Sequence, residues 1–141
     1  MKTKTIKQSF ILSITALLLS ILIDQLLLQR PILTKALGIV VPGYLGSVVY
    51  YHKQRYNLAL FYGFLLGLIV HSFFFLLVPL GLNTPAIEIA TKLSSYTFIS
   101  QLFIYIAAII IGALTMGFYS LLGALGAKLF WKSKKESKHE K

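Results

Sequence analysis

The sequence predicts an all-α, polytopic integral membrane fold: a four-transmembrane-helix bundle with a short interfacial helix between helices 3 and 4. Three observations predict it. Of 141 residues, 57% are hydrophobic and only 13% charged, and the mean hydropathy is +0.78. An ordinary soluble domain carries roughly 25% charged residues, so this chain lacks about half of the usual polar cover. The apolar residues also fall into four runs, each long enough for the ~20 helical residues that cross a hydrocarbon core about 30 Å thick. Finally, the cations gather at the ends of those runs. A typical water-soluble enzyme or binding domain is excluded on composition.

The first run, 9–28, carries a single charge, Asp24, and follows Lys2, Lys4 and Lys7. A signal peptide would have a shorter apolar core followed by a small-residue cleavage site. An uncleaved helix over about 8–29 is therefore expected, stopped at Gln29-Arg30-Pro31 because proline lacks the amide proton a continuing helix needs. The second run, 32–51, contains Lys35, Gly38, Pro42, Gly43 and Gly46. A helix over 35–52 should be kinked or broken near Pro42, and could either cross the membrane or re-enter from one side. The third run, 58–80, is apolar except for His71 and Ser72 and ends at Pro79 and Gly81, giving a helix over 57–80.

Beyond it, Thr84 can cap a short helix that has Pro85 at its first position, with Glu88 and Lys92 one turn apart. This predicts the interfacial helix over 85–93. The last run, 96–131, exceeds one crossing, so a helix over 96–128 should tilt, bend near Gly123 and Gly126, or project from the bilayer. Residues 1–131 thus form one transmembrane domain, and 132–141 a basic cytoplasmic tail expected to be disordered.

The 14 Lys and Arg residues outnumber the 4 Asp and Glu, a net charge of +10. Their positions argue for topology rather than nucleic-acid binding. With four crossings and a cytoplasmic N-terminus, 11 of the 14 lie inside and only Arg30, Lys35 and Lys92 outside. Both termini are then cytoplasmic in the cell membrane. Lys53, Arg55, Lys132, Lys134 and Lys135 become candidate anchors on anionic lipid headgroups. A re-entrant second run would break this charge pattern.

Leucine gains little by leaving lipid for leucine, so small residues that let helices approach mark the contact surfaces. Run three carries Ala59, Gly63, Gly67 and then His71 at steps of four. Run four carries Ala113, Gly117, Ser120, Ala124 and Ala127, and run one Ser9, Ser13, Ala16 and Ser20 before Asp24. These seams serve either the bundle's own packing or a second copy or another subunit.

Asp24 and His71 are the ionisable groups expected within the membrane rather than at its surface, and both fall in the predicted outer half. Their costs of burial make them the candidate functional pair, lining a polar pocket or proton route. The alternatives are that Asp24 sits at headgroup level or meets Arg30, and that His71 bonds a backbone carbonyl. No carboxylate pair, glycine-rich phosphate loop or nucleophile-elbow serine is present, and His52, His71 and His139 lie at different depths. No catalytic residue, metal site or cofactor is therefore assigned. The leading expectation is an accessory or assembly subunit of a larger membrane complex. The alternative is a small homodimeric transporter or permease subunit with a polar site near Asp24 and His71. Expected partners are membrane lipids and other membrane subunits or a second copy, and no nucleic acid.

Overall fold

A computed structural model describes residues 2–28, 31–76 and 97–139 of the chain. The described residues are almost wholly helical. Helix α1 (Lys2–Ile23) runs into a single π-helical turn (Asp24–Leu28), followed by α2 (Ile32–Lys53), α3 (Tyr56–Leu76) and α4 (Phe98–His139). Each contains a stretch long and apolar enough to cross a membrane: Lys4–Leu28, Ile32–Lys53, Tyr56–Phe75 and Ile99–Phe130. The expected interfacial helix over 85–93, and with it Glu88 and Lys92, lies outside the described residues, as does Arg30.

Of the kink or break expected at Pro42, the break does not occur: the 22-residue helix α2 runs through it. Pro42 is buried, and the glycines beyond it, Gly43 and Gly46, lie directly against α4. Tertiary contact thus holds in line a helix whose own hydrogen-bond ladder is interrupted. Helix α4 likewise takes in most of the segment expected as a disordered tail, since its backbone stays helical to His139. Its 42 residues make a rod about 63 Å long at a rise of 1.5 Å per residue.

Helix α4 lies in the groove between α2 and α3, and α1 leans on α2 and α3 from the other side. The approach is close because glycines face backbone. A Cβ at Gly46 would overlap the Ser120 carbonyl, one at Gly63 would overlap Ser120, one at Gly67 would lie 2.5 Å from Ala113 Cα, and one at Gly123 would overlap the Gly43 carbonyl. The small residues of runs three and four therefore meet one another. Two hydroxyls cross the same interface. Buried Ser120 donates from Oγ to the Ala59 carbonyl at 2.7 Å, and Ser47 Oγ lies 2.9 Å from the Gly123 carbonyl and 3.0 Å from that of Gly43. Inter-helix bonds of this kind average about 0.6 kcal/mol each, so they orient the helices more than they stabilise them.

On α1 the inward face holds Ile6, Leu17 and Ile21 together with Ser9, Ser13, Ser20 and Asp24, all buried. Ser13 and Ser20 satisfy their hydroxyls on carbonyls of their own helix, those of Ser9 and Leu17, each at 2.8 Å. Edge-on contact between Phe10 and Tyr62 ties α1 to α3. The α2–α3 connection is short because Gln54 adopts a left-handed φ of 53° and donates its amide to the Tyr50 carbonyl at 2.7 Å. That turn stacks Tyr50 on Tyr56 at 4.9 Å, and Lys128 of α4 sits 5.6 Å above the Tyr56 ring.

Candidate functional site

The two candidate groups, Asp24 and His71, are engaged separately. Asp24 opens the π-helical turn and is 1% exposed. Its Oδ1 accepts from the Leu33 amide at 3.0 Å and its Oδ2 from the Thr34 amide at 2.7 Å. The physical reason is legible at the start of α2. The first amides of any helix lack intrahelical acceptors, and Pro31, in the capping position, supplies no side-chain acceptor. Asp24 supplies it from the preceding helix, and the positive end of the α2 dipole in turn favours its negative charge. A buried carboxylate thereby becomes tolerable in an apolar setting.

His71 is half-buried on α3. Its Nδ1 lies 2.9 Å from the Gly67 carbonyl, four residues back. A carbonyl only accepts, so Nδ1 is the donor in this bond. The ring is held against α4 at Gly112, where an added Cβ would overlap it. No hydrogen bond or ion pair joins Asp24 to His71 among the described residues, and no group of three metal-ligating side chains occurs among them.

What the two groups share is a neighbourhood. His71 lines a half-open cavity of about 480 Å³ whose other polar lining is Thr34, Lys35, Thr115 and Tyr119. Asp24 lies one layer behind it, through its bond to the Thr34 amide. Apolar residues such as Val70 and Met116 make up most of the wall. Gly38 also borders the space and has nothing within 4 Å of the position its Cβ would take. Pro42 offers no amide proton to the Gly38 carbonyl one turn earlier.

Lys35, Thr115, Tyr119 and Gly112 were not among the sequence-derived site residues. One signal pointed to Asp24 as a cap: an α2 that begins after proline, with no Ser, Thr, Asp or Asn at its start, needs an acceptor from elsewhere. Nothing in the sequence marked the cavity, because its lining is assembled from residues of α1, α2, α3 and α4 that are distant along the chain. At the opposite end of the bundle, the anchor candidates Lys53 and Arg55 are exposed, and Lys132, Lys134 and Lys135 lie on the helical backbone of α4.

Comparison with protein-family models, with curated proteins and with solved structures finds no match to this chain.

Proposed function

We propose that this chain is an integral membrane protein that crosses the bilayer four times with both termini cytoplasmic, and that it serves as an accessory or assembly subunit of a larger membrane complex. The supporting observation is how its buried polar groups are used. Asp24, Ser47 and Ser120 each bond the backbone of a different helix, and His71 braces α3 against α4. These groups set the geometry of a scaffold rather than converge on a reacting centre. The outward faces of α1 and α4 stay broadly apolar, with Ile11, Leu12, Phe103, Ile111 and Leu114 all more than half exposed. Such faces suit lipid or another membrane subunit or second copy equally, while Lys53 and Arg55 suit anionic headgroups on the cytoplasmic side.

The experiment is extraction in mild detergent combined with crosslinking in intact membranes. A subunit is expected to run in a complex of fixed stoichiometry whose other member falls in abundance when this chain is deleted. A solitary monomer in both measurements overturns the reading.

The cavity beside His71 favours a second reading, a small homodimeric transporter with its site near Asp24 and His71. Reconstituted vesicles separate the two. The transporter reading requires a solute flux that changes with pH and is lost in His71→Gln, whereas the subunit reading expects no such flux.

A further inference from the structure

We infer that the cavity beside His71 binds an anionic amphiphile, its phosphate-type headgroup at Lys35 and its apolar tail directed inward past Gly38 and Met116. This rests on the chain lying in a bilayer and is independent of its acting as a subunit.

The argument begins with depth. Lys35 stands 18 residues above Lys53 on the same helix, about 27 Å along the axis, which is close to a full hydrocarbon thickness. If the Lys53 end lies at one interface, Lys35 therefore lies at the other. Tyr119 and Met116, at the far end of the cavity, sit beside the contacts that Ser120 makes to Gly46 and Ala59. Those contacts are about 10 Å from the Lys53 end of α2 and well inside the core. The cavity therefore runs from one interface toward the membrane interior, as a lipid lies. Lys35 brings a cation to the interfacial end, and Met116 and the Tyr119 ring line the wall further in.

Charge selects the headgroup. Among the described residues, the carboxylate at this end of the bundle, Asp24, is turned onto the Leu33 and Thr34 amides and is not paired with Lys35. The Lys35 ammonium has no ion-pair partner among the described residues, which leaves it to a ligand or to solvent. A volume of about 480 Å³ falls within the roughly 300–1,000 Å³ typical of small-molecule sites. Gly38 keeps the passage open, since a side chain there would enter unfilled space.

The test uses the full chain in phosphatidylcholine vesicles, with a diazirine-tailed phosphatidylglycerol or a diazirine-tailed phosphatidylcholine as photoprobe. Labelled peptides are mapped by mass spectrometry. The anionic probe should label segments 32–41 and 112–119 about five-fold more than the zwitterionic one, the selectivity that one interfacial cation supplies. Lys35→Gln should bring the two probes level. Gly38→Trp should remove most labelling by both, while Gly126→Trp, also on open space, should leave it unchanged. Equal labelling by the two probes in the native chain, or labelling indifferent to Gly38→Trp, overturns the proposal. So does displacement by inorganic phosphate at matched ionic strength, which would make the site one for free phosphate. Every variant is first floated with the vesicles and washed in alkali. If the native chain fails that step, the bilayer reading falls and takes this one with it. A chain that floats but labels without selectivity sinks this proposal alone.

Discussion

The carboxylate of Asp24 closes the start of the following helix, its Oδ2 lying 2.7 Å from the amide nitrogen of Thr34. With the Leu33 bond, one buried side chain satisfies two backbone donors that no residue of α2 can reach. Asp24→Ala should leave both amides unsatisfied and lower stability by about 1–3 kcal/mol. Asp24→Asn, which keeps one carbonyl acceptor, should lose less. Unfolding in detergent gives the energies, and amide exchange at Leu33 and Thr34 gives the location. Unchanged protection at those two amides in Asp24→Ala would refute the capping role.

Gly112 and His71 form a second testable pair. A methyl group at position 112 would enter the imidazole ring, so Gly112→Ala should cost about 1–3 kcal/mol by overpacking. In a His71→Ala background the same change should cost almost nothing. The coupling in this double-mutant cycle is the measurement, and additive effects would show that the ring does not occupy that space.

The glycines of the α2–α4 and α3–α4 contacts should divide sharply from those on open surface. Gly46→Ala and Gly63→Ala meet the backbone or side chain of Ser120 and should each lower the unfolding midpoint. Gly126→Ala meets nothing within 4 Å and should be neutral or slightly stabilising through helix propensity. A ranking with Gly126→Ala as the most damaging would contradict the packing described.

Topology can be read cleanly because the chain contains no cysteine. Arg55→Cys and Lys141→Cys should react with a membrane-impermeant maleimide only after the cells are opened. Lys35→Cys should react in intact cells. Labelling of Arg55→Cys from outside would reverse the proposed orientation.

Four long helices were legible because length and apolarity alone set them: the runs at 9–28, 32–51 and 58–80 overlap the apolar stretches Lys4–Leu28, Ile32–Lys53 and Tyr56–Phe75, with 77–80 outside the described residues. That Pro42 would not break α2 was not legible. Pro42 is a strong local signal for a break, and what opposes it is the approach of Gly43 and Gly46 to α4, a contact between residues more than seventy positions apart. The helical course of 132–139 was also missed, since lysine-rich composition reads as solvated chain while propagation from a long preceding helix favours continuing. For the candidate site, the sequence marked Asp24 and His71 as costly groups but not what satisfies them. Their partners are backbone atoms, the Leu33 and Thr34 amides and the Gly67 carbonyl, and backbone atoms leave no trace in residue type.

The Asp24 cap has a consequence for biosynthesis. On the proposed membrane reading, a newly made first span reaches the bilayer carrying a carboxylate whose partners, Leu33 and Thr34, are translated only later. Until they arrive, that charge opposes partitioning, by less than the about 2.5–3.5 kcal/mol of a mid-helix aspartate because it lies toward the interface. The first two spans are therefore expected to leave the translocon together as a hairpin. A nascent chain truncated after residue 28 should insert better when Asp24 is replaced by Leu, and lengthening it to residue 54 should erase that advantage.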